Sequence, residues 1–269
     1  MTATVIDPSS ATDQAVTVTS AGERRRDLDD QVPMERPTAH LLILPSSGRG
    51  THNVDFRSHQ VGRGVALHVQ PGQVHHWDPT SRFKAVVITI HPELCPPGLF
   101  VPAETQPVVP LGPAAPVVMA VAADLAREQE TAKPNQAVMA TSAALLLQHV
   151  ARARSQVSQE APAAQIALLR SFRTELERSF TATRSVSDYA RRIGTSPKTL
   201  SRATAGLTGR SPKELIDRRV VLEARRLLAY TTDPAAVIGS HLGFSEPTNF
   251  TKFFARHTGT SPQEFRAEA

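Results

Sequence analysis

The sequence predicts an α+β protein of two domains: a small N-terminal antiparallel β-barrel or sandwich followed by helices, then an all-α C-terminal domain of two helix-turn-helix units joined by a long helix. Three observations carry this. Short β-rich runs separated by turn residues occupy 39–90, a segment near 189–215 recurs at an offset of 50 residues, and positive charge gathers in the last third.

The bulk numbers set the class. With 269 residues, 40% apolar and 20% charged, the chain can build two ordinary cores. No apolar run approaches the roughly 18–20 residues that span a bilayer, and the N-terminus lacks the apolar stretch of a signal peptide, so a cytoplasmic protein with no membrane contact is expected. A lone cysteine, Cys95, leaves no internal disulfide and no cysteine-rich zinc site. Residues 1–164 hold 13 Lys/Arg against 15 Asp/Glu, whereas residues 165–269 hold 17 against 10. A basic domain joined to a near-neutral one points to a polyanionic partner for the second half alone.

Along the chain, residues 1–36 show no sustained period and read as a flexible arm. The domain at 37–154 begins with the runs Ala39–Leu44, Gly64–Val69 and Phe83–Ile90, with turns expected at Ser46–Gly50, Pro71–Gly72 and Asp78–Ser81. A Pro-rich stretch follows at Pro92–Pro116. Two helical patterns come next, about Val117–Glu130 and Pro134–Arg154. The second carries Val138, Met139, Leu145, Leu146 and Val150 at the spacing of a face for a partner helix, in the same chain or in a second copy. Residues 155–164 read as a linker and 165–269 as helix and turn throughout.

Gly209–Leu215 (GRSPKEL) recurs as Gly259–Phe265 (GTSPQEF). Upstream, Pro197, Leu200, Ser201 and Arg202 match Pro247, Phe250, Thr251 and Lys252. Beyond an extra residue near Phe244-Ser245, Tyr189, Ala190, Ile193 and Gly194 match Ile238, Gly239, Leu242 and Gly243. Each copy, about 184–207 and 233–257, has helix-turn-helix grammar. A capped short helix (Ser187 is the expected cap in the first) leads to a turn glycine with left-handed backbone. A Ser-Pro or Glu-Pro start to a second helix follows. The long helix Pro212–Tyr230 joins them.

The second helix of each copy presents a polar face suited to a major groove: Lys198, Ser201 and Arg202 in the first, and Thr248, Thr251 and Lys252 in the second, with Pro247 and Asn249 at its start. Lys and Arg can donate to guanine O6 and N7, and Ser and Thr serve bases or phosphates. Arg191, Arg192, Arg218, Arg219 and Arg256 are expected at phosphates.

These residues resemble the AraC/XylS family of transcription regulators. The carrying stretches are Leu242–Phe254 (LGFSEPTNFTKFF) and Gly259–Arg266 (GTSPQEFR). The resemblance covers about 165–269 and implies a sequence-specific regulator that binds double-stranded operator DNA near RNA polymerase. Thr204, Ala205 and Gly206 depart from the bulky apolar pattern of the family, so the first recognition helix is expected to be the less well packed.

Residues 64–77 (GVALHVQPGQVHHW) resemble the cupin-like effector domain of the arabinose-regulator branch. That resemblance implies a homodimer with a small-molecule effector, sugar-like or another metabolite. It places the effector near Trp77, His75, Lys84, Val86 and Ser47. No nucleophile–base arrangement, phosphate loop or paired-carboxylate motif appears in the sequence, so no cofactor, no metal and no catalytic residue is expected.

Two other readings remain open. His59, His68, His75, His76 and His91 invite a metal-dependent cupin enzyme fused to a DNA-binding tail, though three convergent ligands are not visible. A constitutive architectural DNA-binding protein is the third.

Overall fold

The computed structural model describes residues 15–21, 34–77, 82–95, 106–155 and 163–268, and these fall into two compact units, one ending at residue 155 and one beginning at 163. The first is an antiparallel sheet with two helices. Its strands are β1 (Val16–Ala21), β2 (His40–Val54), β3 (Arg57–Gly62), β4 (Val65–Val69), β5 (His75–Trp77), β6 (Arg82–Ile90) and β7 (Val108–Pro110). They pair in the order β1-β6-β2-β4-β7, with β3 and β5 also on β2.

The long β2 organises the unit. Its first half lies between β6 and β4, and its second half between β3 and β5. Alternation along it sorts two apolar layers. Leu42 and Leu44 join Ile88, Ile90, Ala66, Val16 and Val18 on the face covered by α1 (Ala115–Gln129) and α2 (Gln136–Ser155). Ile43 and Val54 join Leu67, Val69, Phe83, Ala85 and Val87 on the opposite face.

Two expectations fail here. Residues 16–21, placed in a flexible arm, form β1 across from β6; alternating Val and Thr supply the β-branched, half-buried pattern that an edge strand needs. The turn expected at Ser46–Gly50 is instead strand, because a bulge between Pro45 and Ser47 and the positive φ of Gly48 (76°) absorb the irregularity without ending the pairing. The actual reversal is Asp55-Phe56, both with positive φ (48° and 64°), the backbone of a two-residue hairpin. The Asp55 carboxylate holds it, accepting from Gln73 Nε2 (2.6 Å) and the Val74 amide (3.2 Å). The rest of the expected arm and the turn at 78–81 lie outside the described residues.

The second unit is helical: α3 (Ala163–Ser179), α4 (Val186–Arg192), α5 (Pro197–Thr208), α6 (Pro212–Tyr230), α7 (Ala235–His241), α8 (Pro247–Thr258) and α9 (Pro262–Glu268). It has two apolar clusters, and α6 supplies both, Leu215 and Ile216 to one, Val220, Ala224 and Leu228 to the other. Phe180 packs against both clusters. The sequence repeat survives to single hydrogen bonds. Glu214 Oε2 accepts from the Ser211 amide at 2.7 Å, and Ser211 Oγ accepts from the Glu214 amide at 3.2 Å. Ser261 and Glu264 repeat the pair at the same two distances. Gly209 and Gly259 end α5 and α8 with φ of 68° and 84°.

Candidate nucleic-acid interface

Each repeat builds one helix-turn-helix. In the first, Ser185 rather than Ser187 caps α4, accepting from the Asp188 amide at 3.3 Å. Ser187 falls inside the helix because Ser185 is the last residue with extended backbone. Gly194 turns with φ of 68°, and Ser196 caps α5, accepting from the Thr199 amide at 3.1 Å. Tyr189, Ala190, Leu200 and Ala203 are buried. In the second, Gly243 turns with φ of 79°, and Phe250 and Phe254 anchor α8. Here the cap position holds Glu246, whose side chain makes no cap hydrogen bond.

Burying those faces leaves the opposite stripes exposed. On α5 the stripe is Lys198, Ser201 and Arg202, with Ala205 and Gly206 beyond. On α8 it is Thr248, Thr251 and Lys252, with Pro247 and Asn249 at the start and Arg256 one turn past Lys252. All eight residues singled out from sequence are thus exposed, three on α5 and five on α8. Among the described residues no carboxylate pairs with Lys198, Arg202, Lys252 or Arg256, so their charge is uncommitted. Thr251 Oγ1 donates to the Pro247 carbonyl at 3.2 Å, which leaves its lone pairs for a donor.

The flanking arginines divide. Arg191 pairs with Asp188 (2.8 Å) and Arg192 with Glu175 (2.9 Å), both at the surface. Arg219, expected at a phosphate, is buried. It meets Glu177 at 2.8 Å and Glu223 at 3.1 Å, and its guanidinium lies 3.9 Å over the Phe180 ring. Its position on α6 faces the core, where the expectation had assumed a solvated face. Thr204 is fully buried, with its hydroxyl donating to the Ser201 carbonyl at 3.1 Å, so that position of α5 carries no unpaired polar group.

Sequence reasoning missed Arg184, just before the Ser185 cap. Its Nη2 donates to the Leu242 carbonyl at 2.6 Å, and its guanidinium carbon lies 3.6 Å above the Phe244 ring. The partners are 58 residues apart, beyond any local pattern.

In the first unit, the five residues singled out for an effector do not converge. His75 and Trp77 share a face of β5 with buried His52: Nδ1 of His75 is 3.1 Å from His52 Nε2, and the Trp77 ring is 4.6 Å from that of His52 and 5.5 Å from Phe83. Val86 packs on the opposite, helix-covered layer. Lys84, two residues away on the same strand, shares the side of Val86, is exposed, and is the register partner of exposed Ser47.

The histidines separate as well. His68 meets His40 (3.0 Å) on the helix-covered face, and His91 is exposed beside Glu93. Among the described residues no three His, Cys, Asp or Glu are grouped to hold a metal. Burial pushes the His75 imidazole down to about 4 and drives His52 and His68 the same way, so all three are neutral near pH 7.

Residues 189–268 match the family model described as a helix-turn-helix domain. The chain is 33% identical over 91 residues to the HTH-type transcriptional activator RhaS of Escherichia fergusonii, covering 34% of this chain and 33% of that protein. It is 22% identical to the HTH-type transcriptional activator RhaR of Mannheimia succiniciproducens over 90% of each chain. A solved AraC-type regulator from Chromobacterium violaceum is 26% identical, with 40% of this chain and 96% of that one covered and a TM-score of 0.36. This chain spans 23–33% of the length of four of the curated relatives it matches. No helix among the described residues is long and apolar enough to cross a membrane.

Proposed function

From the premise that residues 189–268 form an AraC-type helix-turn-helix domain, we propose that the whole chain is a sequence-specific transcription regulator that reads operator DNA through α5 and α8. One observation carries this reading: two structurally equivalent units each expose a polar stripe with unpaired cations on their second helix. Two such helices suit successive major grooves, about 34 Å apart along one face of the duplex. Lys198, Ser201, Arg202, Asn249, Thr251 and Lys252 are assigned to base edges and nearby phosphates, and Pro247 and Thr248 to the start of the second reader.

The first unit is assigned the role of a cupin-like effector and dimerisation domain, consistent with an antiparallel sheet covered on one layer by α1 and α2. Small-molecule binding is assigned to the layer of Trp77 and His75. Dimerisation is assigned to the outer face of α2, where Val138 and Leu145 stay 46% and 44% exposed at a spacing of two helical turns. The protein acts in the cytoplasm as a homodimer, without catalysis of its own. It works beside RNA polymerase as an activator, the sign named for its RhaS and RhaR relatives.

Genome-wide binding followed by footprinting of the purified protein tests this. Protection over two successive major grooves of a defined sequence is expected. Weak protection indifferent to sequence would overturn it in favour of an architectural role. Stoichiometric iron, manganese or zinc in the purified protein would instead favour the enzyme reading.

A further inference from the structure

The two readers are joined covalently by α6 alone, yet they touch at a second place. The loop 180–185 that leads into the first unit lies against the turn that ends α7 in the second. Gly243 sits so close to that loop that a Cβ there would overlap the Thr181 carbonyl oxygen, and its φ of 79° already favours glycine. Arg184 closes the contact. It donates to the Leu242 carbonyl, one of the orphan carbonyls at the end of α7, and stacks on Phe244 with Phe253 of α8 at 5.8 Å. The next residue, Ser185, is the cap of α4. Alongside Phe180, which packs against both clusters, Arg184 therefore ties the entry of the first unit to the turn and recognition helix of the second.

We infer that Arg184 is a positioning residue for two-groove recognition: it fixes the orientation of α8 relative to α5, so both readers meet the duplex without reorganising. The inference rests on the DNA-reading function proposed above. Its physical basis is preorganisation. When two readers share one rigid frame, the second engages at high effective concentration, and a frame that can flex loses that gain without losing any contact to DNA. The guanidinium lies over the Phe244 ring, which itself meets Phe253, so the part-buried bond to Leu242 is covered on one side by aromatic rings.

The test uses the full chain on its footprinted site, on the same site with either half scrambled, and on a series with base pairs inserted between halves up to half a helical turn. Arg184→Ala should lose about tenfold in affinity on the intact site, the equivalent of one charge-assisted hydrogen bond. It should stay within about twofold of wild type on each single-half site and tolerate insertions that abolish wild-type binding. Arg184→Lys, which keeps the charge and one donor, should fall between them and remains usable where the alanine variant fails to fold. Equal losses on intact and single-half sites would make Arg184 a plain stabiliser and overturn the inference, as would no loss at all. A wild-type protein that protects no two-part site would overturn the DNA reading on which it rests.

Discussion

Phe250 lies so close to Gly239 that a Cβ built on the glycine would stand 2.8 Å from the Phe250 Cβ. The corresponding pair in the first unit is Ala190 and Leu200, both fully buried. As the recognition-helix residue grows from leucine to phenylalanine, the facing residue shrinks from alanine to glycine, and the two helices keep their approach. At this contact the repeat keeps a summed volume rather than the residues themselves.

Gly239→Ala should therefore destabilise the second unit by about 1–3 kcal/mol, although the same change in a free helix gains up to about 1 kcal/mol. The obstacle is the Phe250 Cβ, which cannot swing away without moving α8. Combining Gly239→Ala with Phe250→Leu, the pairing of the first unit, should recover most of the loss. Urea midpoints for the two singles and the double measure this. Additive losses would show that the two side chains do not share one space.

Arg202→Ala and Lys252→Ala should each cost about 1–3 kcal/mol on the specific site and relax base preference at one position. Weakening that is uniform across sequences would move them to phosphates. Arg219→Ala should behave otherwise, since its side chain is 7% exposed between Glu177 and Glu223. Glu223 keeps Arg226 at 3.3 Å, so losing the guanidinium between the two carboxylates should cost about 3 kcal/mol of stability, the low end for a broken buried pair. The salt slope of DNA binding should stay unchanged, and a shallower slope in the folded variant would restore Arg219 to the phosphate contacts.

The helical half was legible because glycine, proline and serine punctuate it twice, at an offset of 50 that slips to 49 across one extra residue, and each punctuation mark has a local physical cause. What escaped was non-local. The Arg184 bond to Leu242 depends on how two units pack, and Arg219 faces inward because two clusters share α6. In the sheet, VTVTSA at 16–21 does carry a period-two signal, but six residues amid polar sequence are too few to stand out. Lys84 and Val86 were grouped with Trp77, and strand alternation separates them: Phe83 and Ala85 are the β6 residues that face the indole layer.

Acid should weaken the first unit in a definite window. His75 is held near 4 against an ordinary 6.5, chiefly by burial and then by the neighbouring His76, with Asp55 opposing; His52, beside it, is depressed for the same first cause. Between those two values the unfolded chain binds a proton that the folded chain refuses. Stability therefore falls as pH drops from about 6.5 towards about 4, with up to about 3 kcal/mol from His75 alone and His52 acting in the same direction. The single tryptophan, Trp77, sits in this cluster and reports its unfolding directly. Its urea midpoint should be lower at about pH 5 than at about pH 7 by roughly 1 M. His75→Gln should shrink that difference, and an identical difference in the variant would place the titration elsewhere.

The outer face of α2 offers the last test. Of the apolar residues on that helix, Met139, Leu146 and Val150 turn to the sheet and are buried, while Val138 and Leu145 stay exposed seven residues apart. Two aliphatic side chains on one stripe, left uncovered among the described residues, suit a second copy of the same helix. Leu145→Asp leaves the sheet-facing core untouched, so the unit should fold with its ordinary melting behaviour. A carboxylate in the middle of the stripe should weaken self-association at least about tenfold. Sedimentation equilibrium should then show a dimer for wild type and a monomer for the variant at the same concentration. The variant should still protect one two-groove site while losing cooperative occupation of paired sites. A wild-type protein that sediments as a monomer, or a variant that stays dimeric, would remove α2 from the interface and leave Val138 and Leu145 as ordinary surface aliphatics.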